Sequence, residues 1–203
     1  MVEAEVHEER PRFTSASIYN HPSGLLSFWY PMEWLLQAAP SPLPDVYLWP
    51  DPCDEATHIA IAVRDLEAPL TVEERPVIWE GVREGLAQLP DCAVESLVEL
   101  NQDGRWAIEW VCTFAARRRR CQRRSRLFFS DRYQYSVVCQ GTTQERYAYW
   151  QGMFEFILLT VGTAPFSLQG DGPGGYSPAQ HARRSPRGRA VERVERRKGG
   201  HVT

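Results

Sequence analysis

The chain has 203 residues, of which 43% are apolar and 24% charged, as is ordinary for a globular protein. This length predicts one domain with a tail, large enough to fold without disulfides or a metal. No apolar run approaches the roughly eighteen residues of a transmembrane helix, so membrane insertion is not expected. The N-terminus is acidic and lacks the apolar segment of a secretory signal, which predicts a cytoplasmic protein.

The two halves of the chain carry opposite charge, although the net charge is only −3. Residues 1–103 hold 5 basic and 19 acidic residues, a net charge of −14, and residues 104–203 hold 18 basic and 7 acidic residues, a net charge of +11. Mutual neutralisation within one folded domain would explain this division. An acidic partner for the basic half is the alternative explanation.

The first elements are predicted to be short strands. Residues 13–18 form one candidate strand, and residues 25–30 are an aromatic, β-prone run that ends at a proline. Because proline is favoured in the first turn of a helix, a helical turn is predicted for residues 32–36. Five prolines between residues 40 and 52 predict an extended loop, within which residues 46–48 pair at a sheet edge.

A strand with two unlike faces is predicted for residues 57–65. Large apolar side chains alternate there with small ones, and this period of two is typical of a β-strand. One face would hold Ile59, Ile61 and Val63, and the other would hold Ala60 and Ala62.

The next segment has the periodicity of an amphipathic helix. Thr71 and Glu74 have the spacing of a capping box, in which two side chains satisfy N–H groups at a helix N-terminus. Pro76 predicts that the helix begins later or kinks there, and Pro90 predicts its end. The apolar positions recur at spacings of three and four: Ile78, Val82, Leu86 and Leu89.

Three or four antiparallel strands are predicted between residues 93 and 139. The clearest is residues 106–114, where Trp, Ile, Trp, Cys and Phe occupy alternate positions. A hairpin turn that ends in glycine is predicted for residues 101–104, and a very basic turn for residues 117–124. The other predicted strands are residues 93–100, 127–129 and 133–139.

A second helix is predicted after the last strand. Thr142 and Glu145 again have the spacing of a capping box. Gly162 is suited to end this helix, and Pro165 blocks its continuation. The residues expected on its buried side are Tyr147, Trp150, Phe154, Ile157, Leu158 and Val161.

Composition divides the chain into three parts. Residues 1–12 lack periodicity and are predicted to be a flexible acidic leader, and residues 13–164 are predicted to be a single α+β domain. Residues 165–203 contain 11 glycines and prolines and almost no large apolar side chains, so burial cannot offset the entropy of ordering them. These residues are predicted to be a disordered basic tail.

The two ends of the predicted domain carry distinctive patterns. Residues 26–34 read Leu-Ser-Phe-Trp-Tyr-Pro-Met-Glu-Trp, an apolar strand followed by Tyr-Pro, two residues and Trp. Residues 133–138 form an aromatic strand that precedes the aromatic helix over residues 147–158. The first of these segments resembles a signature near the start of the PsbP-like superfamily, and the other two resemble its last strand and last helix. That group includes the extrinsic photosystem II subunit, a Ran-binding nuclear import factor and bacterial proteins of the DcrB type.

The resemblance spans about residues 13–162 and implies a fold. That fold is an antiparallel β-sheet flanked by helices, an α/β/α sandwich. The resemblance also implies a non-enzymatic role, because members mostly act as binding, adaptor, chaperone or assembly proteins. It supplies no active site to carry over to this chain.

No motif for catalysis, cofactor binding or metal binding is recognised. The five cysteines are odd in number and include no Cys-x-x-Cys, which argues against a disulfide framework and a zinc site. Only His58 among the five histidines lies on a predicted strand, where a lone histidine is usually structural. We therefore predict no catalytic residue, no cofactor, no metal and no enzyme activity. An unrecognised enzyme or small-ligand protein is kept as a second alternative.

Seven arginines within ten residues form the first candidate binding surface. Such a block on a protruding hairpin can clamp carboxylates or phosphates with paired hydrogen bonds. The interpretations are a solvated hairpin tip, an acidic protein partner and nucleic acid. Nucleic acid is the least favoured, because few aromatic side chains lie nearby for base stacking. The residues are Arg117, Arg118, Arg119, Arg120, Arg123, Arg124 and Arg126.

Aromatic residues near the start of the domain form the second candidate surface. Phe28 and Trp29 are adjacent on a strand and therefore face opposite sides of it. Both are buried only if the sheet is covered on both sides. Otherwise one of them contributes, together with Trp34, to an exposed apolar surface that receives a partner.

These observations predict a cytoplasmic, non-catalytic protein with a PsbP-like fold. It would act as a protein-binding, adaptor or chaperone-like protein and hold its partner on an exposed sheet face or in a loop cleft. The alternative is a polyanion or nucleic-acid binder that acts through residues 117–126 and the basic tail.

Overall fold

The structure, a computed structural model, describes residues 11–38, 44–102 and 105–163. The predicted tail lies outside these residues, as does the predicted leader apart from Pro11 and Arg12. Within the described ranges the chain forms eleven elements. In chain order they are β1 (Ala16–Asn20), β2 (Ser27–Pro31), β3 (Leu35–Ala38), β4 (Val46–Trp49), β5 (His58–Asp65), α1 (Arg75–Ala87), β6 (Ala93–Gln102), β7 (Arg105–Ala116), β8 (Arg119–Ser130), β9 (Tyr133–Gly141) and α2 (Gln144–Thr160).

The strands form two antiparallel sheets, and the α+β class is confirmed. β1 and β2 pair as a hairpin, and the other strands form one sheet in the order β3-β4-β5-β9-β8-β7-β6. The predicted meander is the run β6 to β9, in which each strand pairs with the next along the chain. Gln102 pairs with Arg105, and residues 103 and 104 of the predicted turn lie outside the described ranges.

The pairing of β5 with β9 joins the first half of the domain to the meander. It runs the full length of β5, from His58 opposite Gln140 to Asp65 opposite Tyr133. After β5 the chain passes through α1 and re-enters the sheet at its far edge, in β6. α1 therefore crosses one face of the sheet, which we call the α1 face. The other face is the α2 face.

The α2 face carries the main hydrophobic core. The predicted alternation of β5 is confirmed, since Ile59 and Ile61 are fully buried on this face. The β1-β2 hairpin also contributes, and Ser27 bridges to Gly162 just after α2. The buried residues of this core include Leu26, Phe28, Trp34, Val46, Leu48, Val137, Cys139, Tyr147, Phe154, Ile157 and Leu158.

The α1 face is covered over only part of its width. The helix residues Val82 and Leu86 pack against β6, β7 and β8, where the buried partners include Trp106, Cys112 and Phe114. Neither described helix packs against this face of β4, β5 and β9. The uncovered side chains there include Tyr47, Ala60, Ala62 and Ser136.

Three sequence-based element predictions are wrong. Residues 35–38 form strand β3 instead of a helical turn, because their pairing with β4 outweighs the local preference set by Pro31. β3 then takes the edge position that had been predicted for residues 46–48. In the predicted basic turn, only Arg117 and Arg118 turn, with φ of 46° and 66°, and β8 begins at the next residue.

Both helix starts differ in detail from the capping-box predictions. The Glu74 carboxylate accepts hydrogen bonds from the Thr71 amide (2.8 Å) and hydroxyl (2.9 Å), but α1 begins one residue after Glu74, as the early proline requires. At α2 the cap is Thr143, whose hydroxyl accepts from the Arg146 amide at 3.2 Å. Thr142 is instead buried and bonded to the neighbouring loop.

A close approach of α2 to the end of β9 requires a glycine. A Cβ at Gly141 would lie 2.5 Å from the Tyr147 backbone nitrogen and 2.7 Å from its Cα. We expect Gly141→Ala to lower the free energy of unfolding by about 1–3 kcal/mol, because the helix backbone would have to move. Chemical denaturation measures this change.

Gly152 offers the matched control for that substitution. It lies inside α2, and a Cβ there would meet nothing within 4 Å. Gly152→Ala should raise the free energy of unfolding by about 0.5–1 kcal/mol, because alanine costs less backbone entropy in a helix. Equal effects of the two substitutions would contradict the close packing of Gly141 under α2.

Candidate functional site

The uncovered part of the α1 face forms a groove, which we call the open groove. Its volume is about 390 Å³. The floor consists of small side chains from two paired strands, with Ala60 opposite Val138 and Ala62 opposite Ser136. Because these side chains are short, a bound molecule can approach the sheet backbone closely.

The walls of the open groove are polar and aromatic. Tyr47 lies on one side, stacked on Trp49 with ring centroids 5.1 Å apart. Arg64 and Gln134, which are paired in register, lie at one end of the groove, and His58 lies at the other. The groove therefore offers hydrogen-bond donors around a shallow floor of small side chains.

Arg123 lies in the wall of the open groove beside His58 and is held in place on two sides. Its Cζ lies 4.5 Å from the ring centroid of Phe114, a cation–π contact. Its Nε and Nη2 donate to Gln140 Oε1 at 3.0 and 2.6 Å, and Gln140 Nε2 donates to the Ala56 carbonyl at 3.0 Å. Burial lowers the pKa of Arg123, because desolvation penalises its charged form.

His58 has one ring nitrogen engaged by the backbone. Its Nδ1 lies 3.0 Å from the Glu55 carbonyl oxygen, so this nitrogen carries a proton and donates. Its ring also lies edge-on to Tyr47, with centroids 5.5 Å apart. Desolvation lowers the pKa of His58, and the charge of Arg123 lowers it further, which together outweigh the hydrogen bond to Glu55. The neutral imidazole is therefore favoured.

A second cavity of about 600 Å³ begins on the far side of His58. It lies between the loop before β5 and the tip of the β7-β8 hairpin, and its lining includes Arg117 and Arg119. Asp54 fixes the loop by accepting hydrogen bonds from the hydroxyls of Thr57 (2.6 Å) and Thr142. Burial alone would raise the pKa of Asp54, but these hydrogen bonds lower it below its usual value.

The arginines of residues 117–126 do not share one surface. Alternate residues of β8 face opposite sides of the sheet. Arg124 and Arg126 lie on the α2 face and both pair with Glu109, at 2.8 and 2.7 Å, whereas Arg123 lies on the α1 face. The other four are exposed at the hairpin tip: Arg117, Arg118, Arg119 and Arg120.

The predicted apolar surface requires a correction. Phe28 and Trp34 are 0% and 6% exposed and belong to the core, with Trp34 edge-on to Trp150 at 5.5 Å. The β1-β2 hairpin packs on α2, so each covers the apolar side of the other. Trp29 is half-buried, and its amide donates to Thr160 Oγ1 at 3.1 Å.

A metal site and a membrane-spanning helix each place specific requirements on the described residues. No group of three or more His, Cys, Asp or Glu side chains within the described ranges is placed to hold a metal ion. Neither of the two described helices combines the length and apolar character needed to cross a bilayer.

The fold is PsbP-like, as comparison with solved structures shows. The solution structure of cyanobacterial PsbP (CyanoP) from Synechocystis sp. PCC 6803 has a TM-score of 0.51 and 12% identity, over 75% of this chain and 94% of that one. LpqN, involved in cell envelope biogenesis of Mycobacterium tuberculosis, has a TM-score of 0.51 and 11% identity, over 74% and 85%. The Saccharomyces cerevisiae Ran-binding protein Mog1p has a TM-score of 0.46 and 9% identity, over 73% and 95%.

The matches to CyanoP and LpqN confirm the predicted PsbP-like fold. No family model matches the sequence, and no curated protein matches it in a sequence search.

Sequence reasoning missed most of the open groove. It placed Ala60 and Ala62 on one face of β5 but attached no function to that face. The signal was present in β9 as well, where Gln134 and Ser136 alternate with Tyr135 and other large side chains. Two paired strands that both place small or polar residues on the same face indicate a face without a helix on it.

The lowered pKa of His58 predicts how stability depends on pH. The folded state binds this proton less readily than the unfolded chain, whose histidine pKa is about 6.5. The contribution of His58 to stability is therefore full above pH 6.5 and is lost as the pH falls through the folded pKa. We expect His58→Gln to weaken the fall in the free energy of unfolding between pH 7 and pH 5.

Denaturation at several pH values measures this slope, and NMR titration of the His58 ring measures its pKa directly. Carboxylates contribute equally to the slopes of both proteins, so the difference isolates His58. An unchanged slope in the variant, or a ring pKa above 6.5, would show that the histidine is not desolvated.

Proposed function

We propose that this protein is a non-catalytic binding protein that holds an extended segment of a partner protein in the open groove. One observation carries the proposal: α1 leaves the α1 face of β4, β5 and β9 uncovered, and that area is lined by small and polar side chains. A sheet face that is not part of a core and is not blocked by bulky side chains is suited to receive another chain. The predicted adaptor or chaperone-like role and cytoplasmic location belong to this proposal.

The chemistry of the groove favours binding over catalysis. Its hydroxyl groups are those of Tyr47 and Ser136, and within the described residues neither is hydrogen-bonded to a side chain that could act as a base. The one imidazole of the groove is that of His58: its Nδ1 donates to a backbone carbonyl, and its Nε2 is hydrogen-bonded to no described hydroxyl or thiol. A nucleophile without an adjacent base is weak, so acyl or phosphoryl transfer is not supported.

The shape of the groove favours a chain segment over a small molecule. Pockets for small ligands usually enclose most of the ligand surface. This groove lies on an open sheet face, and its floor follows β5 and β9 from His58 to Arg64, seven residues along the strand. An extended peptide of similar length would lie along it and place alternate side chains on the floor.

Polyanion binding at the hairpin tip is the second candidate function. Arg117, Arg118 and Arg119 are exposed, and none of them forms an ion pair with a described carboxylate. In this second function the polyanion would contact the exposed hairpin tip and would not enter the open groove. It also requires binding that weakens steeply with salt, because neutralising phosphates releases counterions.

A peptide-selection experiment tests the proposal on the full chain. Twelve-residue peptides are selected from a random displayed library, and their affinities are measured by calorimetry for the wild type and for Ala62→Trp. An indole at residue 62 would fill the floor of the open groove. We expect it to weaken the selected peptides at least tenfold, about 1.4 kcal/mol.

Ala148→Trp is the matched control, because Ala148 is exposed on α2, away from the groove. This control should leave the affinities unchanged. Peptides that bind Ala62→Trp as tightly as the wild type would overturn the proposal. If binding instead disappears when Arg117, Arg118 and Arg119 are replaced by Gln, and falls steeply with salt, the second candidate function is supported.

A further inference from the structure

Arg123 is the charged wall residue of the open groove that is half-buried and held in a fixed position. Two neighbouring arginines on β8, Arg124 and Arg126, share the carboxylate of Glu109. Arg123 has no such partner: among the described residues its hydrogen-bond acceptor is the neutral amide of Gln140. A partly desolvated charge without a counter-charge is costly, and an anionic ligand would offset that cost.

The hydrogen bonds of Arg123 leave one edge of the guanidinium free. Arginine has five N–H donors in a rigid fork. The edge formed by Nε and Nη2 is taken by Gln140 Oε1, and no described residue accepts from Nη1. The remaining edge, formed by Nη1 and Nη2, has the geometry that binds the two oxygens of a carboxylate in parallel. Because Arg123 lines the groove, a bound molecule can reach it.

We infer that this free edge of Arg123 is a carboxylate site, and that it receives an Asp or Glu side chain of the partner segment in the open groove. The inference rests on the proposed function and adds the chemistry of the partner. Phe114 and Gln140 hold the guanidinium before the partner arrives, so little side-chain entropy is lost on binding.

Charge balance favours a carboxylate over a phosphate group. Arg123 supplies one positive charge, and the lowered pKa of His58 keeps that neighbour neutral. Arg64 is exposed and lies at the other end of the groove. A single negative charge therefore neutralises this end of the groove, whereas a phosphate dianion would leave a negative charge without a partner.

Acetate is the probe for the site, and NMR is the readout. The full chain, labelled with nitrogen-15, is titrated with sodium acetate at pH 6.5. Acetate replaces sodium chloride during the titration, so that the ionic strength stays constant. The Arg123 Nε–H signal is identified by its absence from the spectrum of Arg123→Lys. We expect this signal and the side-chain amide signals of Gln140, which is hydrogen-bonded to Arg123, to shift and saturate with acetate in the wild type.

Variants separate the site from general electrostatics. Arg123→Gln should weaken acetate binding, read at the Gln140 side-chain amide, at least tenfold, and Arg123→Lys should weaken it too because lysine lacks the paired donors. Arg120→Gln removes the same charge from the same strand on the opposite face and should change nothing. Thermal unfolding of each variant checks that it is folded. If Arg123→Gln does not fold, Arg123→Lys alone tests the site.

Each outcome decides the inference. The absence of a saturable shift with acetate, or an equal response to chloride, overturns it. Inorganic phosphate that binds ten times more tightly than acetate overturns the assignment of the ligand as a carboxylate. If peptides selected on the full chain lose affinity in Ala62→Trp but acetate does not bind, the groove function stands and the carboxylate site fails. If acetate binds at Arg123 but the peptides do not depend on Ala62, the carboxylate site stands, whereas the groove function and the assignment of the ligand to a partner segment fail.

Discussion

The long pairing of β5 with β9 is the constraint from which the rest of the structure follows. It places the strand before α1 in the middle of the sheet, while the strand after α1 lies at the far edge. Among the described elements, α1 is therefore the one helix that packs on this face of the seven-stranded sheet. A helix with its side chains is about 10–12 Å wide, and seven strands at about 4.8 Å spacing span roughly 30 Å. α1 packs over β6, β7 and β8, and the face of β4, β5 and β9 remains open as a geometric consequence.

Strand β8 carries part-buried arginines on both of its faces, and their charges are accommodated differently on each face. On the α2 face, Arg124 and Arg126 share Glu109, and Arg124 also lies 3.5 Å from Glu155, so two carboxylates balance two guanidinium groups. On the α1 face, Arg123 has a π-face and an amide oxygen as its partners. These contacts orient the guanidinium without neutralising it. Adjacent arginines of β8 therefore differ in whether a carboxylate neutralises them. The uncompensated charge of Arg123 distinguishes the open groove from an ordinary exposed sheet surface.

Much of the fold could be predicted from the sequence, because its strands alternate clearly and its helices have regular apolar spacing. Errors arose where the outcome depends on residues far along the chain. The preference of Pro31 for a helix start was outweighed by the pairing of residues 35–38 with β4, and no local pattern encodes that pairing. The arginines of residues 117–126 were read as one cluster, although a strand sends alternate residues to opposite faces. Only the position of β8 between two partners shows that Arg123 stands apart from Arg124 and Arg126.

An uncovered sheet face that binds a partner must also avoid non-specific association with other molecules. A floor of large apolar side chains would bind a partner strongly but would also invite non-specific association. The open groove uses Ala60, Ala62 and Ser136 instead, which expose little apolar area and leave the backbone approachable. In the proposed binding role, such a floor would supply only a small hydrophobic contribution to affinity, so specificity would come from directed polar contacts. The half-buried and oriented guanidinium of Arg123 would provide such a contact, because part of the cost of desolvating it is borne on folding and does not recur when a partner binds.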